Sequence, residues 1–213
     1  MPVSMIIVAA QPTPRRIGAI MVSLAALCMF PRAGAADNTG QRSPRVSSGQ
    51  FSIPSNGLNC DELVAQANGN AQSQVFSLYG ITVPAEATVT GIMVRVRARD
   101  GAQGNRSLQV SLSWDGGNRF SGPLQTGDFE RDAPLRDYYV GGSRVLWGHA
   151  WTAADLSDRK FRVRLMAMMP GASDPIALDC PPVTVFYALP TPVPRHATPE
   201  PSPELSPPVG TLR

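Results

Sequence analysis

The segment that decides the fold is TGIMVRVRARD, residues 90–100. Apolar side chains occupy every second position from Ile92 to Ala98, and arginines fill the positions between them from Arg95 to Arg99. Successive side chains of an extended strand point to opposite faces, so this period of two predicts a strand with one buried face and one face toward solvent.

Three more segments alternate in the same way, namely 108–114, 161–167 and 183–187. The first of them ends at a turn sequence, DGGN, at 115–118. Weaker strand signals lie at 74–79, at 138–140 and near Phe51. Short strands, frequent Gly and Pro, and no long segment of helical period indicate an all-β fold.

We therefore expect a two-sheet antiparallel β-sandwich, with a closed barrel as the alternative. Beyond the first 35 residues, nearly all large apolar residues lie within about 49–188, and a domain of that size can bury about two-thirds of its unfolded surface. Those residues are predicted to form one domain. Only 151–156 (WTAADL) looks helical, and it is long enough for one or two turns, with Thr152 and Asp155 spaced as a capping box.

The N-terminal residues 1–35 have the pattern of a secretory signal peptide. Two arginines precede an uncharged run of fourteen residues, 17–30, and the small-residue site Ala33-Gly34-Ala35 follows. As a helix the run would rise about 21 Å, less than the roughly 30 Å of a bilayer core, so an uncleaved anchor is the weaker interpretation. We expect cleavage after Ala35, no transmembrane anchor in the mature chain, and a secreted or envelope location.

Both flanks of the domain are polar. Residues 36–48 lack periodicity and are predicted to be a flexible leader. Residues 189–213 contain eight of the 21 prolines, which predicts a disordered Pro-rich tail that is either a spacer or a ligand for the aromatic groove of a partner.

The basic balance of the chain depends on the predicted signal peptide. The sequence has 19 basic and 16 acidic residues, and Arg15, Arg16 and Arg32 would leave with the signal. The mature chain would then carry 16 of each sign. Nothing in this balance predicts a nucleic-acid or anionic-membrane partner.

Two cysteines, Cys60 and Cys180, remain after removal of the signal. In an oxidising compartment they are most simply a disulfide, and closing a loop of about 120 residues stabilises a fold by roughly 4 to 5 kcal/mol. Two free thiols or half of a metal site are the alternatives.

Several stretches resemble motifs of β-sandwich modules found in exported bacterial proteins and phage particle proteins. The three matched regions are 81–92 (ITVPAEATVTGI), similar to IPxxATIxGIxVxV; 139–156 (YVGGSRVLWGHAWTAADL), similar to YGGxxxLWGxxWTxADL; and 183–187 (VTVFY), similar to VxVYY. The likeness spans about 73–187 and fades before Ser73. It implies a jelly-roll-like sandwich whose first and last strands lie close, which would bring Cys60 and Cys180 within bridging range, and it implies no catalytic residues.

Arginine is the most suggestive surface feature. Arg95, Arg97 and Arg99 share one face of a predicted strand, and Arg162 and Arg164 share a face of another. If those strands are neighbours, five guanidiniums form a patch that could bind acidic polysaccharide or phosphate. The alternative is a solvated face whose charges pair with nearby carboxylates.

Catalytic and metal-binding patterns are weak. His149 is the only histidine of the domain and no Gly-x-Ser-x-Gly elbow occurs, so we interpret it as a surface loop residue. Six acids could supply a glycosidase pair, but no spacing singles one out: Asp61, Glu62, Asp128, Glu130, Asp132 and Asp137. Three of these acids alternate at 128–132 and could cage Ca²⁺, but a solvated acidic loop is favoured, and zinc lacks a ligand set.

These observations predict a non-catalytic module without metal or cofactor. Its expected role is structural or binding, with extracellular polysaccharide or an envelope component as partner. Trp147 and Trp151 are expected to pack in the core, although an exposed pair could form a sugar-stacking platform. The rival hypotheses are a carbohydrate-active hydrolase with paired carboxylates and a self-assembling surface or particle protein.

Overall fold

The computed structural model describes residues 36–101, 105–131, 133–171 and 174–191. The predicted signal peptide, and the tail from 192 onward, lie outside the described residues. The described part contains these strands: β1 Ala36–Asn38, β2 Val46–Gly49, β3 Ala65–Ala67, β4 Ser73–Ser77, β5 Thr88–Asp100, β6 Ser107–Ser113, β7 Leu124–Gln125, β8 Arg136–Gly141, β9 Arg162–Met168, β10 Ile176–Cys180 and β11 Val183–Ala188. One 3₁₀ turn, η1, spans Pro54–Gly57.

The strands form two antiparallel sheets. In sheet A, β5 pairs along one edge with β8 and along the other with β10 and then β11, which follow each other on either side of Pro181-Pro182. The outer edges of β10 and β11 pair with β3 and β1. Sheet B has the order β2-β4-β9-β6-β7. From β1 to β6 successive strands alternate between the sheets, which gives the expected jelly-roll-like sandwich.

The core lies between the sheets and is built from the predicted inward positions. On β5, Ile92, Val94, Val96 and Ala98 are completely buried. The alternating apolar residues of β6 and β9 face them, and Leu108, Val163 and Leu165 are equally inaccessible. Burying such side chains contributes about 1.5–3 kcal/mol each, which explains why the period-two pattern decides the fold.

The two long resemblance motifs meet at one junction in sheet A. A Cβ on Gly91 would lie 2.2 Å from the carbonyl oxygen of Gly142, so only glycine lets the backbones approach this closely. The next residue, Ile92, donates its N–H to Val145 O at 3.0 Å and accepts the indole N–H of Trp147 at 2.9 Å. The motif residues therefore join β5 to the loop after β8.

Residues 36–48 are not a flexible leader. The segment predicted to be a flexible leader instead supplies β1, paired with β11, and most of β2, paired with β4. Both are edge strands held through backbone hydrogen bonds, so their polar side chains give no apolar alternation. Residues 189–191 follow β11 without regular secondary structure.

Residues 151–156 form turns rather than a helix. The capping contacts are nevertheless present, because Thr152 Oγ1 donates to Asp155 Oδ2 at 2.7 Å. Within the described ranges, no helix has the length and apolar character needed to cross a bilayer.

Candidate functional site

The predicted five-arginine patch does not exist as a unit. Arg95, Arg97 and Arg99 lie on β5 in sheet A, whereas Arg162 and Arg164 lie on β9 in sheet B. Alternation turns both sets away from the shared core, so they occupy the two opposite outer faces of the sandwich. The sequence correctly predicts the outward direction on each strand, but the assumption that the strands are neighbours is wrong.

The two sheet B arginines are engaged locally. Arg162 donates to three backbone carbonyls, those of Asp158, Arg159 and Phe161, at 2.7–3.0 Å. The guanidinium of Arg164 lies 4.1 Å from the ring centroid of Phe120, within the range of a cation–π contact. The Arg162 guanidinium is therefore occupied by backbone carbonyls, and the Arg164 guanidinium lies over an aromatic ring.

On sheet A, two of the three arginines are paired with carboxylates. Arg95 Nη1 lies 3.6 Å from Asp137 Oδ2, and its Nη2 lies 2.9 Å from Cys60 Sγ. Arg97 contacts three acids: Asp179 at 3.0 Å, Glu62 at 3.4 Å and Asp137 at 3.9 Å. This arrangement matches the alternative of a face whose charges are internally balanced.

The loop between η1 and β3 is fastened onto sheet A. Cys60 and Cys180 form a disulfide with Cα atoms 5.2 Å apart, as predicted. Asp179 lies beside it with a fully buried side chain, and its Oδ1 accepts the backbone N–H groups of Asp61 and Glu62, both at 3.1 Å. The contact of Arg97 Nε with Asp179 Oδ2 is an ion pair without hydrogen-bond geometry.

Burial raises the pKa of the Asp179 carboxyl, and the lowering effects of the two N–H donors and Arg97 do not fully offset it. Asp179 thus holds the loop through its two hydrogen bonds, although burying its carboxylate away from water is unfavourable. Together with the disulfide it fixes one wall of a groove.

That groove consists of two adjoining cavities on the outer face and rim of sheet A. The first has a volume of about 420 Å³ and is lined by Gln66 of β3, Ala177 of β10, Arg99, Asp100 and Asp174, among others. The second has a volume of about 400 Å³ and is lined by Glu62, Arg97, Arg99, Pro134 and Leu135. Arg99 borders both.

An exposed aromatic ring extends this face. Tyr139 of β8 pairs with Arg95 across the sheet and is 58% exposed. We name the surface formed by the two cavities and Tyr139 the sheet A groove. It combines amide, carboxylate and guanidinium groups with an aromatic face, which are the groups that bind sugar hydroxyls and stack on sugar rings.

The described ends of the domain lie away from the cavities. Ala36 pairs with Ala188, which pairs with Thr88 at the start of β5. Arg99 is near the other end of the same strand, about 36 Å away at roughly 3.3 Å per residue. Residues 36 and 188 therefore do not border the groove.

The end of the sandwich away from the cavities holds an aromatic cluster. Trp147 and Trp151 are each 6% exposed and donate their indole N–H groups to backbone carbonyls, as expected for core residues. His149 lies in the same loop, as predicted, but its ring stacks on Trp114 with centroids 4.1 Å apart. Its Nε2 is 3.5 Å from Asp155 Oδ2.

Asp155 is the charged partner of this cluster. Burial raises its pKa, but hydrogen bonds from Thr152 and the interaction with His149 outweigh that effect and hold the pKa below its ordinary value. In the part of the chain that the structure describes, no serine or cysteine hydrogen-bonds to His149. The rings of Trp114, His149 and Trp151 pack against one another.

Several of the predicted acids pair with arginines. Glu130 pairs with Arg136, and Asp137 pairs with Arg95 and Arg97. Asp132 lies outside the described residues. Across the described ranges, no group of three or more His, Cys, Asp or Glu side chains is placed to hold a metal ion.

No family model and no curated protein matches this chain.

This chain is similar to several solved structures at low sequence identity. A truncated AlyQ with CBM32 and alginate lyase domains matches at 14% identity and a TM-score of 0.41, over 74% of this chain and 35% of that one. The CBM32 of AlyQ in complex with 4,5-unsaturated mannuronic acid matches at 16% identity and 0.39, over 68% and 96%. The CBM22-1 xylan-binding domain from Paenibacillus barcinonensis Xyn10C matches at 13% identity and 0.36, over 72% and 97%.

At identities of 16% or less and TM-scores below 0.5, these three structures do not assign a function to the chain. The chain spans about a third of the length of the first of them. The phage link in the motif resemblance remains a prediction. What is established is a two-sheet antiparallel β-sandwich module with an internal disulfide.

Sequence reasoning missed the residues that complete the sheet A groove. Gln66, Ala177 and Asp174 come from β3, β10 and the turn before β10, and none belongs to an alternating segment. The available signal was Arg99 itself, which projects outward from the most regular strand. Its cavity neighbours become visible only when the pairing of β10 with β5 is known.

Proposed function

We propose that this protein is an exported, non-catalytic binding module for extracellular polysaccharide, and that the sheet A groove is its binding site. The observation that carries the proposal is the pair of adjoining cavities that share Arg99. Each has a volume in the range of small-ligand sites, and together they offer a polymer an open path across one face of the sheet.

The groove is supported by rigid elements. Its floor is β5 and β10, and one wall is the loop held by the disulfide and by Asp179. A preorganised site loses little entropy on binding, which matters for a sugar polymer whose individual hydrogen bonds are weak. The non-catalytic assignment rests on the engagement of Asp179 and Asp137 with backbone and arginine groups, where they hold the surface together.

The test measures the affinity of the purified full chain for a panel of soluble neutral and acidic polysaccharides by gel retardation and calorimetry. The double variant Gln66→Ala/Tyr139→Ala removes one hydrogen-bonding group and one stacking ring. We expect its Kd to rise at least about tenfold, since such contacts each contribute roughly 1 kcal/mol.

The matched control is Arg164→Gln, on the opposite face of the sandwich. It should bind as the parent does, and the reducing-sugar content of all mixtures should stay constant. A panel without any binder, or equal loss of binding in the control, would overturn the proposed site. Release of reducing ends would overturn the non-catalytic role.

A further inference from the structure

The charges of the sheet A groove are not distributed evenly. Arg95 and Arg97 both contact carboxylates within 4 Å, as described above. Arg99 is exposed and forms no ion pair or hydrogen bond with any described residue. Among the three outward arginines of β5, it alone is exposed and has no charged partner among the described residues.

Arg99 is also the residue that both cavities share. A chain passing from one cavity to the other must cross its guanidinium. A guanidinium binds a carboxylate through two parallel charge-assisted hydrogen bonds, which makes this position suited to a single acidic group.

Besides Arg99, each cavity has an acidic residue in its lining. Asp174 lines the first cavity, and Glu62, with a side chain 77% exposed and 3.4 Å from Arg97 Nη2, lines the second together with Arg97. The Asp174 carboxylate can accept hydrogen bonds from hydroxyl groups and repels a second anion, and the Glu62 carboxylate offsets the charge of Arg97 in the second cavity. Gln66 adds an uncharged donor and acceptor to the first cavity.

We propose that the groove binds a polysaccharide in which one uronate unit is flanked by uncharged sugar units, with the uronate carboxylate on Arg99 and the neutral units in the two cavities. This inference rests on the proposed polysaccharide-binding function and specifies its ligand class. It separates the protein from binders of continuous polyuronates, whose neighbouring carboxylates would meet Asp174 and Glu62.

The test compares three oligosaccharides of equal length by calorimetry with the full chain. They are a hyaluronan octasaccharide, in which uronate alternates with a neutral unit, an octagalacturonate, in which every unit is acidic, and a neutral xylo-octaose. We expect hyaluronan to bind at least tenfold more tightly than either of the others, with an affinity that falls as salt is raised.

Variants distinguish the parts of the proposal. Arg99→Gln should reduce hyaluronan affinity to that of the neutral oligosaccharide, while Arg164→Gln should change neither affinity. Glu62→Gln should raise the affinity for octagalacturonate several-fold. The Glu62 backbone N–H remains available to Asp179, so the loop stays fastened.

Equal binding of all three oligosaccharides, or full hyaluronan affinity in Arg99→Gln, would overturn the role of Arg99. Octagalacturonate binding as tight as hyaluronan, unchanged in Glu62→Gln, would overturn the requirement for neutral flanking units. Either result leaves the proposed function standing if the wider panel contains a binder, whereas a panel without binders overturns both.

Discussion

The disulfide gives the most quantitative prediction for stability. Cys60 and Cys180 are 120 positions apart, and the chain-entropy relation for such a loop gives about 4.9 kcal/mol at 25 °C. Domains of this kind are stable by only about 5–15 kcal/mol, so loss of the cross-link should remove a third or more of the total. Cys180 is also completely buried, which adds a small packing loss on truncation.

The assay is urea unfolding at 25 °C, followed by tryptophan fluorescence, for the oxidised parent, the reduced parent and Cys60→Ala/Cys180→Ala. We expect both uncross-linked forms to lose about 4–5 kcal/mol of unfolding free energy, a drop of about 2 M in midpoint for a slope near 2 kcal/mol/M. The reduced parent separates the cross-link from the packing change. A loss below about 1 kcal/mol in both forms would refute the reasoning.

Three other predictions follow from single contacts. Hydrogen bonds from Arg119 lower the pKa of Asp115 to about 2, so Asp115→Asn should destabilise the fold at neutral pH. In thermal melts the melting temperatures of the variant and the parent should converge between about pH 4 and pH 2, where the parent carboxylate becomes protonated. Asp179→Asn should have an unfolding free energy within about 1 kcal/mol of the parent at pH 7, because its amide oxygen still accepts both N–H groups and no charge is buried. Asp179→Ala should lose about 2–3 kcal/mol in urea unfolding, because both N–H groups lose their acceptor. Gly91→Ala should lower the yield of folded protein sharply, because its Cβ would overlap backbone atoms of 142–144, and a normal melting curve would contradict the junction described above.

The sequence predicted the strands that have one buried and one exposed face. β5, β6, β9 and β11 appear within one or two residues of their expected bounds, because half-burial produces the period of two. β10 escaped prediction for the opposite reason. All five of its residues are buried, and the disulfide-bonded loop covers Asp179 on its outer face, so its burial pattern does not alternate.

The candidate site was predictable only in part. Alternation fixes which way Arg95 or Arg164 points, but it says nothing about which sheet a strand joins. Sheet membership depends on pairings between residues far apart in sequence, such as Arg99 with Ala177. The cavities depend further on a loop that the disulfide and Asp179 fix in place, which no local pattern encodes.

The central claim is that ligand binds on sheet A and nowhere else on the sandwich. The most direct measurement is an amide chemical-shift titration of the labelled protein with the polysaccharide that binds best in the panel. We predict shifts concentrated at Gln66, Arg99 and Ala177, with the amides of Val75 and Arg164 on the outer face of sheet B unchanged. Shifts concentrated on sheet B, with the sheet A residues silent, would contradict the account.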